Sequence, residues 1–141
     1  MDTVIGRFSP QAFAILRIIV GIMFAMHGSQ KLLHWPPPQG GGGGGGGLPP
    51  LLIVAGVIEL VCGLLMAIGL VAGWAAFLAC GEMAVAYFLG HASKGGPIPL
   101  QNKGELAVVY CFLFLYIAAH GAGIWSADAA IRGRRPATTT T

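Results

Sequence analysis

The sequence predicts an all-α integral membrane protein, a four-helix bundle, and three observations predict it. Hydrophobic residues are 55% of the 141 and charged residues only 9%, whereas a soluble domain carries about 25% charged residues. Mean hydropathy is +0.75. The apolar residues fall into four runs, close in length to the roughly 20 residues that cross a bilayer. A single transmembrane domain over residues 1–141 is expected, with no separate soluble domain. The net charge of +3 comes with no basic stripe and no interleaved aromatics, which argues against a nucleic-acid partner. The bilayer itself is the first expected partner.

The first helix is expected over about residues 10–28. Ser9 suits an N-cap and Pro10 the first helical position. Arg7 before an apolar run resembles a secretion signal. No small-x-small cleavage site follows at Met26-His27-Gly28, so the segment is read as a retained helix. A Gly-rich loop over residues 36–50 comes next, with eight glycines from Gly40 to Gly47. It lacks the strand, the helix and the Lys-Ser/Thr of a phosphate loop, and is read as a flexible connector.

The second helix is expected over 51–70, entered through Pro49-Pro50. The short turn Val71-Ala72-Gly73 makes it an antiparallel neighbour of the third, over 74–90. The fourth is expected over 104–122, and a polar basic tail over 128–141. Trp35, Trp74 and Trp125 fall at segment ends, as interfacial anchors do. Small residues repeat at four-residue spacing, as Gly63 and Ala67, and as Ala76, Cys80 and Ala84. Such repeats let membrane helices approach closely.

Three of the five acidic residues, Glu59, Glu82 and Glu105, belong to these apolar segments. A charged side chain at the bilayer centre costs about 2.5–3.5 kcal/mol on insertion scales unless protonated, paired or wetted. Depth sorts the three. Glu59 lies about 12 Å below the interface that carries the loops, and Glu82 lies near the midplane. Glu105 opens the fourth helix at that interface, where the helix dipole alone favours a carboxylate. His27, Lys31 and His91 end segments on the same side, beneath the loop that holds Asn102. Together these seven residues form a candidate intramembrane polar pocket, with no catalytic residue assigned.

Arg17 enters from the opposite side, about 10 Å deep. Arg17, Gly21, Phe24, Gly28 and Lys31 follow one helical stripe. An Arg17–Glu59 ion pair is expected, as a lock on bundle register. Histidines at interfaces also satisfy themselves with headgroups or water, so His27, His34 and His120 have that reading open. No Glu-x-x-His or His-x-x-x-His spacing occurs, and no metal is expected. Cys62, Cys80 and Cys111 lie far apart in the chain without a Cys-x-x-Cys and read as soft packing residues.

At these positions the chain resembles the DoxX family of small bacterial membrane proteins. The resemblance rests on Arg17, on His27-Gly28-Ser29-Gln30-Lys31-Leu32 and on Glu59-Leu60 with Gly63. It continues through Gly81-Glu82-Met83-Ala84-Val85-Ala86-Tyr87-Phe88, Asn102-Lys103-Gly104-Glu105 and Trp125-Ser126-Ala127-Asp128. Lys103 departs from the pattern, where a small residue is expected. The resemblance implies a four-helix protein of the bacterial inner membrane and, loosely, redox chemistry. Three functions follow as expectations. The first is an accessory or structural subunit that works with other membrane subunits of a redox complex. The second is a quinone-reactive oxidoreductase subunit with its pocket around Glu82. The third is a small transporter or proton path, for which no inverted repeat is visible. No cofactor motif is present and no cofactor is predicted; such a pocket leaves room for a quinone, and His27 and His91 on one side leave haem as a further alternative. The distribution of arginine and lysine narrowly favours cytoplasmic termini.

Overall fold

The structure, a computed structural model, describes residues 2–37 and 47–133. Most of the glycine connector and the tail from residue 134, with Arg134 and Arg135, lie outside the described residues. Four apolar helices form the bundle. Helix α1 spans Ser9–Leu33 behind a short helical lead-in. Helix α2 spans Pro50–Ile68 and α3 spans Ala72–Val85. Helix α3 runs on as a π-helix, Ala86–Ala92, and ends at Gly95. Helix α4 spans Glu105–His120, and a short α5, Ala127–Gly133, follows. No strand occurs among the described residues.

Three of these helices, including α3 with its π extension, are long and apolar enough to cross a membrane. Helix α4 has 16 residues, or about 24 Å, and is stopped by Gly121 at φ 82°. Between its terminal residues Glu105 and His120 its exposed side chains are nonetheless mostly apolar, as at Phe112 and Leu115. Lipid, not water, is the solvent that suits such faces.

Helix α1 continues five residues past the expected end at 28. Polar Ser29 and Lys31 are accommodated because each has a partner: Ser29 Oγ donates to the Trp35 carbonyl at 2.7 Å, and Lys31 finds a carboxylate.

The α1–α2 contact is built on small residues. A Cβ placed on Gly21 would lie 2.7 Å from the Ala67 nitrogen. One on Gly28 would meet Leu60 and Gly56 backbone, and one on Gly63 would meet Ala25. These contacts fix an antiparallel register in which the two residue numbers sum to about 88. The spacing read from sequence at Gly63 and Ala67 is part of this seam. On α3 the buried set is Ala72, Ala75, Ala76, Ala79 and Met83. Cys80 and Ala84, expected on the same stripe as Ala76, sit at its margin. The α1–α4 side closes through aromatics, with Phe24 on Phe114 at 4.6 Å and on Tyr110 at 5.7 Å.

Candidate functional site: a polar cluster beside an apolar groove

The register decides the partners of the buried charges. Position 29 lies opposite Glu59, so Lys31 is about one turn away or less, while Arg17 is displaced by about 18 Å along the helix. Lys31 Nζ donates to Glu59 Oε1 at 2.6 Å, with Glu59 only 3% exposed. The expected Arg17–Glu59 pair is therefore corrected: depth along antiparallel helices separates the two.

Arg17 instead staples the opposite end of the bundle. Its Nη1 donates to the Met66 and Ala67 carbonyls, the latter at 3.0 Å. Its Nη2 donates to the Trp125 carbonyl at 2.8 Å and the Ile124 carbonyl at 3.4 Å. The last carbonyls of α2 carry the negative end of the dipole, which a guanidinium satisfies; the Met66 carbonyl also accepts from the Gly69 amide at 3.2 Å. Asp128 completes this end, accepting from the Val71 amide at 3.1 Å.

At the other end, His27, Lys31, Glu59, His91, Lys103 and Tyr110 line a pocket of about 220 Å³. Glu59 Oε2 and the Tyr110 hydroxyl are buried there without a hydrogen-bond partner among the described residues. Buried polar atoms are rarely left so. His91 Nδ1 lies 3.1 Å from the Asn102 carbonyl. A carbonyl only accepts, so Nδ1 carries a proton and donates it to this bond. Asn102 is itself a loop organiser: Nδ2 donates to the Gly96 carbonyl at 2.7 Å and Oδ1 accepts from the Gly104 amide at 2.8 Å. It holds His91 rather than facing the pocket.

A second, larger space of about 1150 Å³ runs along the outside of α2 and α3. Its walls are apolar over most of their length, with Leu51, Ile58, Phe77 and Leu78 among them. Lys31, Glu82 and His91 border it, and Lys31, Ala86 and His91 belong to both spaces. Glu82 Oε2 is buried without a partner among the described residues. The π-helix carries Ala86, Gly90 and His91 to this junction, as π-turns often do at functional sites.

Of the seven predicted pocket residues, the structure gathers His27, Lys31, Glu59 and His91 around one space and sets Glu82 beside the adjoining groove. Glu105 is exposed at the start of α4 and lines neither. His120 stacks on Phe13 at 3.7 Å at the far end. Lys103 and Tyr110 were missed. Tyr110 carried a usable signal, since a tyrosine inside a membrane helix needs a partner for its hydroxyl. No group of three or more His, Cys, Asp or Glu side chains poised for a metal occurs among the described residues.

A small helical membrane bundle with a polar cluster opening on a lipid-facing groove is the class that these features define. The DoxX family profile matches residues 12–92, from α1 to the end of the π-helix. The chain is also 44% identical over 124 residues to a Haemophilus influenzae protein (strain ATCC 51907 / DSM 11121 / KW20 / Rd) described as an uncharacterized protein. That match covers 86% of this chain and 92% of the relative. The protein belongs to the DoxX family. No solved structure matches it.

Proposed function

We propose that the protein is a quinone-binding subunit of a membrane redox assembly in the bacterial inner membrane, with cytoplasmic termini. The observation that carries the reading is the junction at Lys31, Glu82 and His91, where an apolar groove open to lipid meets polar side chains. An isoprenoid quinone has that same division, a long apolar tail and a head with two carbonyl oxygens. The tail lies along Leu51, Ile58 and Phe77. The head lies near Lys31, whose ammonium donates to a carbonyl oxygen. Glu82 and His91 are the proton-exchanging groups beside it. A purely structural subunit has no use for a carboxylate at the edge of an apolar groove with no partner among the described residues, given its cost.

Trp74 lines the groove and tests this by fluorescence. With Trp35→Phe and Trp125→Phe in place, a decyl-benzoquinone is expected to quench Trp74 saturably in nanodiscs. Gly81 also borders the groove, and a Cβ there would meet nothing within 4 Å. Gly81→Leu therefore narrows the groove from a position with room for the added Cβ, and a tenfold loss of affinity, about 1.4 kcal/mol, is expected. Linear quenching that is identical in both proteins would refute the reading.

A further inference from the structure

Cys80 and Cys111 sit on different helices, thirty-one residues apart in sequence, yet their sulfurs lie 3.6 Å apart. Both are free and half-buried, whereas Cys62 is buried in the core. Cys80 also lines the apolar groove. We propose that Cys80 and Cys111 are a dithiol that reduces the quinone held in that groove and becomes a disulfide bridging α3 and α4. The inference rests on the quinone reading above and adds the electron donor to it.

The geometry suits the bond. The α3–α4 contact uses small residues on α3, with Ala76 and Ala79 buried in the core and a Cβ on Gly73 coming within 3.4 Å of the Ala118 carbonyl, which lets the two backbones approach. A disulfide needs sulfurs about 2.05 Å apart, so they must close by about 1.5 Å, a rotamer-scale adjustment. Cys80 is the sulfur at the groove wall and Cys111 stands behind it. The balance is complete: two S–H bonds break and one S–S bond forms. Two electrons and two protons pass to the quinone, whose two carbonyl oxygens become the hydroxyls of a quinol. The pair returns to the dithiol by exchange with an added reducing thiol. Ordinary packing of two small polarizable side chains accounts for the contact alone, but not for its placement at the wall of a redox ligand's groove.

The test uses full-length protein carrying Cys62→Ala, reduced and kept anaerobic in nanodiscs, with decyl-benzoquinone added. Thiols are counted with maleimide after denaturation, quinol is read by ultraviolet absorbance, and binding is followed through Trp74 quenching. One quinol per chain, loss of both thiols and a Cys80–Cys111 linked peptide are expected. Cys111→Ser should abolish quinol and linkage while quenching stays saturable, which also shows that this variant is folded. Saturable quenching with both thiols still free would overturn this inference and leave quinone binding standing. Absence of saturable quenching would overturn the quinone reading and the electron acceptor with it.

Discussion

Gly28→Ala is expected to pull α1 away from α2 and to destabilise the bundle by about 3 kcal/mol or more, at the upper end of overpacking costs. The added methyl would collide with the backbone of Leu60 and Gly56. Backbone cannot turn aside as a side chain can, so the helices must shift as rigid bodies. That shift breaks the seam at Gly21 and Gly63 and moves Lys31 away from Glu59, which is 3% exposed. The measurement is the midpoint of unfolding in a sodium dodecyl sulfate titration. Gly81→Ala is the control, because that methyl would meet nothing within 4 Å. It should leave the midpoint unchanged or raise it slightly through helix propensity. Equal midpoints for Gly28→Ala and wild type would mean that the α1–α2 register described above is wrong.

Arg17→Met carries the second large effect. Arg17 is fully buried, and its removal takes the side-chain donor from the Ala67, Ile124 and Trp125 carbonyls, while the Met66 carbonyl keeps the Gly69 amide. Each buried polar group left unpaired costs about 1–3 kcal/mol, so a loss of about 3 kcal/mol or more is expected. Arg17→Lys should recover only part of it, because an ammonium cannot span both carbonyl pairs as the planar guanidinium does. Hydrogen exchange should rise over residues 123–128 in the methionine variant. Quenching of Trp74 by quinone should persist, since Arg17 borders neither space. If exchange over 123–128 stays at the wild-type level, Arg17 is not the staple of that end.

How far the sequence reaches is clear from particular residues. The helices were readable because apolar length and proline or glycine punctuation are local signals. Pro50 starts α2 and Gly69, at φ 72°, closes it. The gathering of His27, Lys31, Glu59 and His91 was readable because depth follows from counting residues along a helix. Depth also held the correct partner for Glu59: Lys31 and Glu59 were both placed on the loop side, and Arg17 on the other. The pull of a long guanidinium towards a buried carboxylate outweighed that count. Arg17 found carbonyls instead, and helix-end carbonyls leave no mark in a sequence. The Cys80–Cys111 contact depends on the rotation of α3 against α4, which no spacing within either helix encodes. The π-helix was equally hidden, since its widened turn over Ala86–Ala92 has no composition of its own.

The central claim is that the groove along α2 and α3 holds a quinone whose head lies at Lys31, Glu82 and His91. A photoreactive azidoquinone, illuminated with the full-length protein in native membranes and mapped by peptide mass, tests it most directly. The account predicts label on the stretch from Leu51 to Ile58 and on that from Phe77 to His91, competed by unlabelled quinone and lost in Gly81→Leu. Label spread evenly over lipid-facing positions of α4 such as Phe112 and Leu115, and indifferent to Gly81→Leu, would contradict it.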